Sequence, residues 1–471
     1  MKSKIISLII AFFVFGILQA QLKVAPILTN NMVLQRNTEV RLWGKAKPLE
    51  KLIISASWSN YKVNTVCNEN GEWLVKVKTT EAGGPYTISI KSDKETITLK
   101  NILLGEVWLC SGQSNMQMQM EGFPDQPVNN SNDLMVDADN DNVRMFTVKL
   151  ASMDTPQDSC LGKWVVASTA TVGKFSAVGY LYAKQLQQRL KVPVGMIASS
   201  WSSSRIEPWM SKETISKFPE SFAETSKSDA RPQHRAYHLY NGMIAPIKNY
   251  SIKGAIWYQG ESNISAPKVY PDLMVAMVEN WRQAFDVGQF PFYFVEIAPH
   301  WYNNSKATNT VFLREAQLKA SKLIPNSGMV STVDIGEEKC IHPAEKLTVA
   351  KRLTYWALSE TYGIKGITYK NPVFKNISIQ DSALLVSFEN APLGLTAFGK
   401  EIDNVELAGV NKVFYPAKAT ITNKQLKIVS SQVPKPVAVR YGFCNFPQGK
   451  GFIYNVAGLP VPSFRSDDWE N

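Results

Sequence analysis

The sequence predicts an α/β fold, a central domain on a parallel sheet with β-rich segments on either side. Three observations carry this expectation. From about residue 105 to about residue 363, apolar strand-like runs alternate with segments of helical periodicity. Before residue 100 the runs are short, alternate apolar with polar, and are broken by Gly, Asn and Pro. From about residue 370 the short-strand pattern returns. A chain of 471 residues also exceeds the usual size of one core. The expected division is 1–20 leader, 21–104 β domain, 105–365 α/β domain and 366–471 β-rich region.

The chain opens Met1-Lys2-Ser3-Lys4, continues with an apolar run at 5–18 and reaches Gln19-Ala20. A basic start, a short apolar stretch and a small residue read as a secretory signal peptide, cleaved after Ala20. The expected destination is the periplasm or the medium. The run is short for a membrane span, and no later stretch is long and apolar enough, so no stable span is expected after cleavage. In the N-terminal segment, Glu39-Val40-Arg41-Leu42-Trp43 and Tyr86-Thr87-Ile88-Ser89-Ile90 show the two-residue alternation of sandwich strands.

In the central segment the expected strands are 106–110, 194–198, 253–258, 292–298 and 328–333. Between them Val178, Leu181, Tyr182, Leu186 and Leu190 recur at helical spacing. So do Tyr270, Leu273, Met274, Met277, Val278, Trp281 and Phe285, and a third helix is expected over 344–362. Such a sheet places its functional loops at the carboxyl ends of its strands.

The net charge of +11 is diffuse, with no basic cluster interleaved with aromatics, so no nucleic-acid partner is expected. The five cysteines are widely spaced, with no pair at zinc-ligand spacing and no disulfide framework expected.

The candidate nucleophile follows the first central strand, in Ser111-Gly112-Gln113-Ser114. A glycine at a strand-to-helix turn permits a tight backbone that displays Ser114, and the new helix offers unpaired N–H groups to an oxyanion. The pattern differs from the GxSxG elbow of the α/β-hydrolases. A serine needs a base, and the histidines are His234, His238, His300 and His342. His342 lies in the loop after the fifth strand, the expected place for the base; His300 ends the fourth strand and is its competitor. His234 and His238 either line the mouth or cap structure. Gln259, at the end of the third strand, is a candidate oxyanion donor beside the Ser114 N–H.

Several ordered blocks resemble the sialate O-acetylesterase family of SGNH-type hydrolases. They begin with Gly105-Glu106-Val107-Trp108-Leu109-Cys110-Ser111-Gly112-Gln113-Ser114-Asn115-Met116 and continue through Arg205-Ile206-Glu207-Pro208-Trp209. Asn241-Gly242-Met243-Ile244-Ala245-Pro246, Trp257-Tyr258-Gln259-Gly260-Glu261-Ser262-Asn263 and Ile341-His342-Pro343 follow. Val439-Arg440-Tyr441-Gly442 and Gly458-Leu459-Pro460 extend the likeness to the C-terminal region.

The resemblance implies a flavodoxin-like three-layer domain and a serine esterase acting on O-acetylated sugars, with Ser114 as nucleophile and His342 as base. O-acetylated sialic acid is the leading substrate. Acetylated xylan or another polysaccharide is the alternative, and a noncatalytic carbohydrate-binding protein is the reading from another class. No metal or cofactor is needed for this chemistry.

The chain departs from the family pattern at three points. The family's acid positions before the histidine hold Lys339 and Cys340, which leaves Asp334 or a backbone carbonyl to orient His342. The family's glycines after the tryptophan are replaced here by Ser202-Ser203-Ser204, with Ser203 the expected second backbone donor. In the block where SGNH enzymes carry an oxyanion asparagine, Glu261 is expected to organise the loops and Asn263 to line the pocket. Arg205 is expected either to bind a sugar acid's carboxylate or to pair with Glu207 or Glu261.

Overall fold

The computed structural model describes residues 21–227 and 230–469, so the expected signal peptide lies outside the described residues. The central strands are β1 (Thr96–Gly112), β2 (Asn140–Thr147), β3 (Trp164–Ala167), β4 (Val194–Ser200), β5 (Gly254–Tyr258), β6 (Phe292–Val295) and β7 (Ser327–Val330). They lie in the order β3-β2-β4-β1-β5-β6-β7. All neighbours are parallel except the antiparallel edge strand β3. Among the five strands expected from sequence, the order is second, first, third, fourth, fifth, which is the flavodoxin-like arrangement. The fold is the expected α/β class.

The sheet is covered on both faces. Helices α2 (Ala177–Leu190) and α5 (Lys346–Trp356) pack on one side, and α3 (Tyr270–Phe285) and α4 (Asn309–Leu323) on the other. Alternate strand residues enter the two cores. Val107 and Leu109 face α3 and α4, while Trp108 and Cys110 face α2 and α5. Each fully buried Trp or Leu of this kind contributes roughly 2–3 kcal/mol of transfer free energy.

Strand β1 shows why its sequence changes character midway. Residues 96–101 are partly exposed and alternate, because they belong to an antiparallel sheet with one wet face. Residues 102–112 are buried without interruption, and from Glu106 onward the strand pairs with parallel neighbours in a sheet that helices cover on both faces. One strand therefore runs through the expected 104/105 boundary and belongs to both units. Two further strands were not expected. Of β2, only Val143, Met145 and Phe146 read as apolar; buried Arg144 interrupts them, its Nε donating to Asp141 O at 2.7 Å. Strand β3 spans four residues at the sheet edge.

The flanking units are tied to the centre by specific contacts. Arg41 donates to Phe285 O at 2.7 Å, at the end of α3, and Tyr250 donates to Val33 O at 2.7 Å. The C-terminal region forms two four-stranded antiparallel sheets around Leu384, Val386, Leu407, Leu426, Ile428, Val439 and Tyr441. Its Asn445 accepts from Thr310 N and Oγ1 at 3.1 and 2.8 Å, and its backbone carbonyl accepts from His300 N at 3.2 Å. Arg314 donates to Cys444 O at 2.5 Å, and Arg465 forks onto Glu315 with both contacts at 2.9 Å.

Because β1 is shared and Asn445 docks the C-terminal sheets, limited proteolysis should leave the chain from residue 21 onward largely whole. Ready release of a stable 105–363 fragment, seen by mass spectrometry, would contradict this.

Candidate active site

The loops at the carboxyl ends of β1, β4, β5 and β7 are bonded to one another beside the point where the strand order reverses. Strand β1 ends at Gly112, whose φ is +136°; a Cβ there would lie 2.2 Å from Tyr258 O, so only glycine fits. Gln113 then donates its N–H to Tyr258 O at 3.0 Å, and its side-chain carbonyl accepts from Gly260 N at 3.1 Å. A single turn of helix, α1 (Ser114–Gln117), follows. Ser114, its first residue, is 7% exposed, and its N–H has no hydrogen-bond partner among the described residues.

Asn115 joins this turn to the other loops. Its Nδ2 donates to Glu261 Oε1 at 2.6 Å and to Ile341 O at 3.0 Å, while its Oδ1 accepts from Lys346 Nζ at 2.6 Å. The neighbour of Ser114 is thus bonded to the neighbour of His342. Burial pushes the Glu261 carboxyl up and pulls the Lys346 ammonium down to about 8. The loop after β4 is tied down by Ser202, whose N and Oγ both donate to Gln117 Oε1 at 2.6 Å, and by Trp201 N on Gly112 O at 3.1 Å.

His342 is half-buried, with Nδ1 2.5 Å from Gln126 Oε1 and its ring 5.4 Å from the Phe123 ring in an edge contact. Its Nε2 has no hydrogen-bond partner among the described residues. Burial lowers its pKa to about 4, helped by the charges of Lys346 and His300.

Residues 104–353 match the family described as "Carbohydrate esterase, sialic acid-specific acetylesterase". The chain belongs to this family. It is 28% identical to the sialate O-acetylesterase of Mus musculus, over 93% of each chain. It is 30% identical to that of Rattus norvegicus over 75% of this chain and 76% of the rat protein. Among solved structures, a carbohydrate acetylesterase from Xanthomonas citri superposes with a TM-score of 0.85 at 29% identity, covering 95% of this chain and all of that one. The chain is a carboxylic ester hydrolase, acting on O-acetylated carbohydrate.

Within this esterase, the expected site residues divide sharply. Gln117 ties the turn of Ser114 to the loop of Ser203, and Asn115 ties the same turn to the loop of His342 and to Glu261. Ser203 is exposed, holds φ +58°, and its N–H has no hydrogen-bond partner among the described residues. Left-handed backbone costs a non-glycine residue about 1 kcal/mol or more, so Ser203 marks a strained turn.

Three expectations are corrected, and one pair of alternatives is decided. Asp334 does not orient His342: both of its oxygens are taken by Arg352, at 2.8 and 2.7 Å, because a buried carboxylate pairs with the buried guanidinium one helix away. Gln259 is no oxyanion donor. Its Nε2 donates to Ser204 O and Asn263 Oδ1 at 3.0 and 2.8 Å, and its Oε1 accepts from Tyr270 at 2.8 Å. Asn263 is fully buried between Ile206 N, Gln259 and Glu207 instead of lining the pocket. Of the two readings of Arg205, the structural pair with Glu207 is the one found, at 2.8 Å, joined by Glu224 at 2.9 Å, and none of its three nitrogens is left for a substrate carboxylate.

The remaining histidines have structural partners. His300 Nδ1 lies 3.2 Å from Glu337 O, His234 Nε2 lies 2.7 Å from Ser203 O, and His238 lies between Asp154 at 3.1 Å and Ser152 at 3.3 Å. Sequence reasoning missed Asn115, Lys346, Gln117 and Gln126. Asn115 stood inside the nucleophile block, so its signal was present; Gln126 carried none.

Asn115→Ala would strand Lys346 and Glu261 without their shared partner. Chemical denaturation should show a loss of about 2–4 kcal/mol. A cost below about 0.5 kcal/mol would remove Asn115 from the centre of the site.

Proposed function

We propose that this esterase hydrolyses O-acetyl groups on sialic acid through an acetyl-serine, with Ser114 as nucleophile and His342 as general base. The observation that carries the reading is the Asn115–Ile341 bond, which holds the turn of Ser114 against the loop of His342 at the carboxyl end of the sheet. In this reading the imidazole accepts the Ser114 proton as Oγ attacks the acetyl carbonyl. The N–H groups of Ser114 and Ser203, both without partners, are suited to the oxyanion. The imidazolium then protonates the departing sugar oxygen, and water, deprotonated by the same base, releases acetate. The sialate specificity rests on the relatives named as sialate O-acetylesterases. A panel of O-acetylated sialic acids and acetylated xylan tests it. Turnover of xylan alone would move the substrate to plant polysaccharide. The leader at residues 1–20 supports export of the enzyme to the periplasm or medium.

Ser114→Ala should lower kcat by roughly four to six orders of magnitude with the fold intact. A serine-directed phosphonate should label Ser114, mapped by mass spectrometry; label on another serine would overturn the assignment.

The pH profile follows from His342. Only the neutral imidazole accepts a proton, and its pKa lies at about 4. As pH falls through that value kcat/KM should fall, and it should be level above about pH 5. An acid limb at an ordinary histidine pKa, about 6.5, would contradict the depressed value.

A further inference from the structure

We propose that Gln126 is the positioning residue of His342, its side-chain carbonyl accepting the Nδ1–H in the role that a carboxylate usually fills. The proposal rests on the serine–histidine reading above and adds the third member that the sequence left open. The contact is 2.5 Å from Nδ1 to Oε1. Three carboxylates near the ring's loop are engaged elsewhere. Asp334 is held by Arg352, Glu337 accepts from Ala344 N at 2.7 Å, and Glu345 caps α5 through Thr348 N at 2.9 Å. Cys340 points its thiol at His342 O, 3.2 Å away, and so bonds the backbone and not the ring.

The loop that carries Gln126 is built to hold it still. Phe123 and Gln126 exchange both backbone hydrogen bonds at 2.9 Å. Gly122 has φ +87°, and a Cβ there would lie 2.4 Å from Gln126 O, so the turn closes only over glycine. The same turn sets Phe123 against the imidazole edge. One tight turn thus fixes the ring through an aromatic contact and through Nδ1 together.

The chemical consequence differs from that of a carboxylate. An amide carbonyl selects the tautomer with the proton on Nδ1 and leaves the Nε2 lone pair for the Ser114 proton. Being neutral, it adds no charge to stabilise the imidazolium. The charged and titratable groups that bear on the ring are Lys346 from α5 and His300 from the loop after β6, both unfavourable to its cationic form. Cys340 and Glu337 belong to the ring's own loop, and both bond backbone atoms.

The test uses the full chain with Gln126→Met and Gln126→Glu, and with Ser114→Ala and His342→Ala as controls. Gln126→Met keeps the length but removes the acceptor; kcat should fall roughly tenfold to a thousandfold with KM changed less than about threefold. Gln126→Glu restores an acceptor and adds a charge. It should keep kcat within about tenfold on the plateau and move the acid limb up by about one pH unit or more, since a carboxylate favours the charged ring. Wild-type kcat in Gln126→Met would overturn the proposal. If that variant does not fold, an unmoved acid limb in Gln126→Glu overturns it. Full activity in both controls would instead bring down the serine–histidine reading itself.

Discussion

The site depends on one buried amide. Asn115 satisfies an acid, a base and a backbone carbonyl at once, from three different segments of the chain. Glu261 follows β5, while Lys346 begins α5 and Ile341 lies in the loop after β7. Two opposite charges so deep in the protein are costly to bury unless hydrogen-bonded, and Asn115 bonds both. The amide sits beside Ser114, so the turn that displays the serine and the loop that presents His342 take their relative positions from the same side chain.

Beneath this clip lie buried polar groups whose hydrogen bonds are already spent. Gln259, Asn263, Arg205 and Glu207 form one connected network beneath the β4 and β5 loops. A network of this kind pays for its burial only when its members are partnered, and then it specifies one arrangement of the loops. The N–H groups of Ser114 and Ser203 stand outside this network, without hydrogen-bond partners among the described residues.

Much of the fold was legible because it rests on periodicity. The five central strands read as apolar runs, and α2 and α3 read as helical stripes, since both are covered on one defined face. The strand with Arg144 was not legible, because a buried charge that bonds its own chain looks like a loop from sequence. The site divided in the same way. The positions of Ser114 and His342, in the turns after two central strands, were readable from topology. The roles of Asp334, Gln259 and Asn263 were not, because a polar residue in a loop says nothing about which partner will claim it. Arg352 claimed Asp334 from the next helix, and Gln126 met His342 across 216 residues of chain.

The continuity of β1 bears on the order of assembly. Its first half pairs with strand 83–91, already synthesised, but its last residues pair with β4 and β5, which come roughly a hundred and a hundred and fifty residues later. Contacts this distant in sequence form slowly, because the intervening chain must be ordered before they repay its entropy. During synthesis the leading β unit can therefore fold early and hold the amino half of the strand in place. The serine at its far end waits, unsupported, until the chain beyond residue 258 arrives to complete the sheet around it.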